Sequence, residues 1–522
     1  MFRPFALIPL LAGVLAASSV VAGTVSGTVQ GDGRPLAGAR VTAETGSGIA
    51  VSVYSAADGR FSVSHPLPGP YALRVRAAGF DDAGTHAADG DQITLSAAAA
   101  ADPLRLAASS EFLALLPDGE DKRRFILNCT SCHEIAHSRI WKDGKVRDTA
   151  KWVEAIKMMK AIDVYAILAP EVEPERFGAY LARHLTPERL AALRPKPRIE
   201  AATAARATIT EYPIPVASEL PHDVGIGPDG RLWITAFWTN AMWAMDPKTG
   251  ATERYSVSKD DKQLAQVRAL AFDKKGMLWI VLGGSKSVVR LDPKTKTYRT
   301  YPVGMYAHDV VLDSKGNVWL NDYFSKPERV GMLNPASGKV TTYPLPSANL
   351  PDAAGKPLPY GLQIDAKDRL WATQLAGNTL VRFDTRTLTS KLYTLPETIS
   401  GPRRLAIGLD GALWIPEFDT GYLTRFDPDK ETFARFNLGD SSLGAYAAAV
   451  DPRNGAVWIT GSLDSSLLRF DVNTQAVERY PLPTEPAYMR HMVVDPNSGA
   501  LWSAYSSLPT AVPKIVRLER RD

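Results

Sequence analysis

Cysteine is nearly absent from this chain, at two in 522 residues. That excludes a disulfide-stapled secreted scaffold and leaves too few thiolates for a structural zinc site. An excess of one charge is lacking too: 60 Lys and Arg stand against 56 Asp and Glu, a formal net charge of +4. No basic stripe argues for nucleic acid as a partner. Beyond the N-terminus there is no apolar run long enough to cross a bilayer. The N-terminus itself, Met1-Phe2-Arg3-Pro4 followed by an apolar stretch to Val21 and the small pair Ala22-Gly23, fits a secretory signal over residues 1–22. The expected mature protein is exported to the periplasm with no membrane span, and the chain is too long for a single domain.

From 23 to 106 short period-two runs alternate with Asp58-Gly59 and Pro68-Gly69-Pro70 turns, which predicts a small β-sandwich. The stretches Pro35-Leu36-Ala37-Gly38-Ala39-Arg40-Val41, Asp58-Gly59-Arg60-Phe61 and Gly69-Pro70-Tyr71-Ala72-Leu73-Arg74-Val75 resemble the carboxypeptidase regulatory-like domain. The resemblance implies a non-catalytic accessory module related to carbohydrate-binding-like folds. From 107 to 195 turn glycines thin out and helix formers dominate, predicting helices over 118–129, 149–162, 173–184 and 187–193. Thr149 is expected to cap the second, and Pro174 and Pro187 to start the third and fourth.

Residues 209–522 repeat. A turn and a Leu/Val-Trp strand recur at Trp233, Trp279, Trp319, Trp371, Trp414, Trp458 and Trp502, spaced 46, 40, 52, 43, 44 and 44 residues apart. That is the period of a four-stranded propeller blade, so seven blades are expected. A second repeated strand, Tyr212-Pro213 through Tyr480-Pro481, has one copy before the first tryptophan and none after the last. The strand near Tyr212 should therefore complete the blade that ends at Ile515–Leu518 and remove the open edges. The fold class is multidomain and mainly β: a sandwich, an all-α domain and a seven-bladed β-propeller.

The two cysteines form Cys129-Thr130-Ser131-Cys132-His133. Cys-x-x-Cys-His is the covalent attachment pattern of haem c, with both thiols on the vinyl groups and the histidine as axial iron ligand. The helix after it resembles small cytochromes c with a Trp-x-x-x-apolar-x-x-Met pattern. Trp152, Ile156 and Met159 fall on that spacing, which implies Met159 as the sixth ligand, with Met158 and His137 as alternatives. The cofactor expected is one haem c.

The Leu-Trp and Tyr-Pro repeats resemble the virginiamycin B (streptogramin) lyase family of seven-bladed propellers, which eliminates across an antibiotic ester with a histidine base and a magnesium ion. Counting back from each tryptophan places His222, Arg268, His308, Tyr360, Arg403, Tyr446 and Arg490 at one repeat position, with Arg404 and His491 beside two of them. A position that is never aliphatic in seven blades points to convergence on one pocket for an anionic or sugar-like ligand. The resemblance implies His308 and Asp322 as the catalytic pair with Mg2+, and Glu417 as a further carboxylate. The equivalent positions Ala236, Leu282, Gln374, Gly461 and Tyr505 depart from the lyase set. Three readings follow: a periplasmic c-type cytochrome or haem-containing oxidoreductase subunit serving a redox partner protein, a metal-assisted lyase, and a binding or sensory protein without turnover.

Overall fold

In the computed structural model the described residues are 23–131, 133–161, 172–195, 199, 203, 206–214, 219–259, 263–347, 358–397, 400–507 and 512–521. The signal segment 1–22 and Cys132 lie outside them. Among the described residues no helix is long and apolar enough to cross a membrane.

The seven repeats fold as seven four-stranded antiparallel blades, six of them separate sheets and the last part of a larger one. Each turn before a blade tryptophan needs a left-handed residue. Glycine supplies it in six blades, as at Gly230 (φ 77°), and Asp368 (φ 57°) supplies it in the fourth. The tryptophans then lie buried in the sheet stack, Trp233 and Trp371 at 0% exposure. In three blades the indole N–H donates to the aspartate that opens the turn, as Trp319 Nε1 does to Asp313 at 2.9 Å. Ala207–Pro213 pairs antiparallel with Lys514–Arg520, Tyr212 opposite Ile515, so the N-terminal strand completes the last blade as the strand count requires.

The N-terminal sandwich does more than precede the propeller. Its strand Ala50–Tyr54 pairs with the outer edge of Ala207–Pro213, so one of its sheets and the last blade form a single eight-stranded sheet. An edge that would otherwise offer unpaired backbone groups is thereby covered. The nearly buried Arg40–Glu485 ion pair (2.8 Å) fastens the joint.

Residues 107–195 contain α1 (Ser109–Leu113), α2 (Glu120–Cys129), α3 (His137–Ile140), α4 (Thr149–Ala161), α5 (Pro174–His184) and α6 (Pro187–Ala192). Prolines open α5 and α6 as expected. Asp148 caps α4 instead of Thr149, its Oδ1 accepting from Lys151 N at 2.8 Å. The expectation of an all-α domain is corrected in two respects. A short hairpin, Trp141–Lys142 with Lys145–Val146, interrupts the helices. The helical core, with Phe112, Phe125, Trp152 and Leu181, is also continuous with propeller residues Tyr323, Tyr360, Tyr446 and Tyr488. The helices are thus a cap on one propeller face, because their apolar sides are covered only when that face is present.

Candidate functional site

The innermost strand of each blade starts with a break in register. In six of the seven blades pairing shifts between the first residue and the third after it, as between Pro221 and Val224 or Met489 and Met492. Such a bulge re-aims side chains and leaves backbone groups unpaired. The side chain two residues after the blade tryptophan supplies the missing partner. Thr235, Asn321, Thr373 and Thr460 accept from the N–H of Asp223 (2.7 Å), Asp309 (2.7 Å), Gly361 (2.9 Å) and Ala447 (3.0 Å). Three of them also donate to a carbonyl of the next blade: Arg268 O (2.6 Å), Tyr360 O (2.7 Å) and Arg403 O (2.7 Å). This Trp-x-Thr/Asn signal stands in the sequence but was not singled out there.

The bulges turn His222, Arg268, His308, Tyr360, Arg403 and Arg490 toward one cavity of about 400 Å³. Tyr446 stands behind them, its hydroxyl bonded to that of Tyr360. All seven are buried, so the position expected at an open channel mouth is roofed by the helical segment. The roof is the cysteine motif itself. Arg403 Nη2 donates to Ser131 Oγ (3.0 Å), Arg490 Nη1 to Ser131 O (3.3 Å), and the Tyr488 hydroxyl donates to the carbonyls of Thr130 (2.8 Å) and Ser131 (3.0 Å). Cys129, His133, Met158 and Met159 line the same cavity, whereas His137 stacks on Trp141 outside it. Tyr488, Arg139 and Arg147 join the site without any mark in the sequence pattern, and Ser131 joins it from within the cysteine motif.

The ring nitrogens are oriented. His133 Nδ1 lies 2.9 Å from the Glu134 carbonyl, which can only accept, so Nδ1 carries the proton and Nε2 its lone pair. Burial, aided by Arg139, pushes its pKa down to about 4. His222 Nδ1 bonds Asp223 Oδ1 (2.7 Å) and His308 Nδ1 bonds Tyr360 O (3.2 Å), which leaves both Nε2 atoms as acceptors. Burial lowers both, His222 to about 3.

Arg404 and His491, adjacent to the ring in sequence, lie on the opposite side. With Asp223 and Asp309 they line the central channel, about 760 Å³, that opens at the far face. Arg404 pairs with Asp223 Oδ2 at 2.9 Å. Burial would raise Asp223, but Arg404 foremost holds it low, while burial lifts Asp309 to about 6.

His308 and Asp322 do not come together. Ala307 is the register partner of Asp322, so His308 turns away from it, and Asp322 pairs with Arg329 at 2.7 Å. Glu417 is fully buried against Arg435 (2.7 Å) and Thr420 (2.6 Å) and does not reach the cavity. Among the described residues no group of three or more His, Cys, Asp or Glu is arranged to hold a metal ion.

Residues 24–102 match the carboxypeptidase regulatory-like domain. A comparison with curated proteins finds no match. Among solved structures a streptogramin B lyase superposes with a TM-score of 0.54 at 21% identity, covering 60% of this chain and 98% of the lyase. A catalytically inactive virginiamycin B lyase from Staphylococcus aureus with quinupristin gives 0.53 at 19% identity, covering 60% and 99%. At that identity the likeness is one of fold. The chain thus joins an N-terminal carboxypeptidase regulatory-like domain to a virginiamycin B lyase-like propeller, with a helical segment that caps one propeller face and encloses the cavity against it.

Proposed function

We propose that the chain is an exported c-type cytochrome, an electron carrier or haem-containing oxidoreductase subunit whose covalent haem sits in the cavity between helical cap and propeller. One observation carries the reading: the haem-attachment motif lines a cavity, open on one side, with buried donors that lack described partners. Trp152 Nε1 and the Nε and Nη2 of Arg139 are such atoms. Each is a costly orphan unless an acceptor enters, and two haem propionates are acceptors of the right charge.

The residues present fit the group. Cys129 lies at the end of α2, and Cys132, outside the described residues, follows three positions later. His133 would hold the iron through its neutral Nε2, with its Nδ1–H anchored on a carbonyl. Met159 would supply the second ligand, since Met158 is 52% exposed. Phe125, Ile135, Trp152 and Ile156 supply the apolar wall that excludes water. When bound, haem supplies one-electron transfer at a potential set by its ligands and burial. Met158 and Trp238, both partly exposed cavity residues, mark the side from which a redox partner protein is reached.

The lyase reading retains the fold but not the His308–Asp322 pair, and a bound Mg2+ finds no prepared carboxylate cluster among the described residues. Replacing Cys129 and Cys132 by alanine should yield protein whose denatured band no longer stains for haem. Persistent covalent haem in the double variant would overturn the assignment of the motif.

A further inference from the structure

We propose that Tyr488 is a positioning residue of the haem site: its phenol holds the two residues between Cys129 and Cys132 and thereby fixes how His133 is presented to the iron. The assignment rests on the haem reading, and it makes the propeller a working part of that site.

The need for such a residue arises at the end of α2. Thr130 caps the helix, and its N–H (3.2 Å) and its hydroxyl (2.7 Å) both turn back to Ile126 O. The Ser131 hydroxyl likewise donates to Leu127 O. These bonds serve the last helical carbonyls, but the carbonyls of Thr130 and Ser131 lie beyond the reach of the helix's own N–H groups. Both residues are buried, at 0% and 5% exposure, so their acceptors need partners from the protein. The Tyr488 hydroxyl supplies them, reaching Thr130 O at 2.8 Å and Ser131 O at 3.0 Å. Arg490 Nη1 also touches Ser131 O, at the longer distance of 3.3 Å.

Tyrosine suits the task because its hydrogen bond adds no charge beside a haem. Burial pushes the phenol well above its ordinary range, so the hydroxyl keeps its proton and acts as a donor at neutral pH. The side chain is itself held. Its backbone N–H donates to Ser507 Oγ (2.6 Å), its ring stands edge-on to Tyr446 at 5.8 Å, and Arg490 lies over its face at 4.8 Å. The strand that follows, Met489–Val494, is the innermost of the eight-stranded sheet that runs through the last blade into the sandwich. The motif is therefore tied to the part of the propeller that its own chain ends close.

The hold reaches His133 through the backbone. Ser131 O belongs to the peptide bond that leads into Cys132, and a planar unit held at its oxygen constrains the chain beyond it. His133 follows two residues after Ser131, with its Nδ1 on the Glu134 carbonyl at 2.9 Å. The ring is thus fixed from its own side by Glu134 and from the preceding backbone by Tyr488. Groups that do not touch a metal tune it in this way, by orienting the ligand that does. The repeat position alone does not assign the role. Tyr306 stands two residues before His308 as Tyr488 stands two before Arg490, but its hydroxyl bonds Gln266 Oε1 at 2.7 Å.

Tyr488→Phe keeps the ring and removes the donor, and Tyr306→Phe is the matched control. In the full-length protein as purified, amide hydrogen exchange over residues 126–135 should run roughly tenfold faster in Tyr488→Phe, the worth of one hydrogen bond in a local opening equilibrium. Tyr306→Phe should exchange there as the wild type does. In the haem-loaded forms the reduction potential should move in Tyr488→Phe alone, because it reads the orientation of the axial ligand. Tyr488→Met, which fills the space without a donor, serves if the first variant does not fold. The proposal is overturned if Tyr488→Phe matches the wild type in exchange or in potential, or if Tyr306→Phe changes both as much. A wild-type chain without covalent haem sinks the haem reading, and the exchange comparison then decides by itself whether Tyr488 holds the motif.

Discussion

Thr373→Val is a nearly isosteric change at a fully buried position, and its cost follows from two hydrogen bonds. The Thr373 hydroxyl accepts from Gly361 N (2.9 Å), inside the bulge that aims Tyr360 at the cavity, and donates to Arg403 O (2.7 Å) of the next blade. Valine fills the same space, so no cavity term arises. It strands one N–H and one C=O at about 1–3 kcal/mol each, offset by about 0.8 kcal/mol for the added methyl. The expected loss is roughly 1–5 kcal/mol. Thr373→Ser keeps the hydroxyl and should fall between wild type and valine, whereas Thr389→Val, on an exposed outer strand, should change stability by less than about 0.5 kcal/mol. Denaturant unfolding followed by tryptophan fluorescence reads the blades directly. If Thr373→Val proves as stable as Thr373→Ser, the hydroxyls are not what holds the bulges.

The remaining predictions concern charge, ligation and edges. Asp419 is raised to about 7, mainly by burial, against about 3.9 in the unfolded chain. The folded state therefore holds its proton more tightly, and this group lowers stability as pH rises from about 4 to 7. Asp419→Asn should flatten that part of the profile, by up to about 4 kcal/mol across the window, and parallel profiles for variant and wild type would contradict the burial argument. Met159→Ala should abolish the sulfur-to-iron absorption band of the ferric protein while Met158→Ala keeps it, and the opposite pattern moves the ligand by one residue. A chain beginning at residue 107 uncovers the edge of Ala207–Pro213 and should self-associate, which light scattering would detect; a monodisperse truncated chain would show that the sandwich is not needed as an edge cover.

The propeller was legible because its tryptophans recur at fixed spacing, and its closure because the Tyr-Pro strand has one copy too early. The ring was legible for the same reason, since a polar group at one repeat position of every blade is a pattern. What covers the ring was not, because the Arg403–Ser131 contact joins residues 272 apart and leaves no periodic trace. The site therefore looked like an open rim when it is a closed wall. Pairing His308 with Asp322 failed for a local reason: the bulge after Ala307 turns His308 away from the face that Asp322 occupies. Arg404 and His491 were misplaced likewise, since the residue after each ring position faces the channel and not the cavity. Thr235, Asn321, Thr373 and Thr460 carried a repeat signal as regular as the tryptophans, but their task, satisfying bulge backbone, becomes visible only once the bulges are known.

A covalent haem in the cavity beneath Cys129 and His133, as proposed, stays on the chain when the protein is denatured. A pyridine haemochrome spectrum of the exported full-length chain, purified under denaturing conditions so that only covalent haem remains, tests it most directly. One haem c per chain is expected. A spectrum without haem, from cells that mature other c-type cytochromes, with both cysteines open to alkylation, would contradict it.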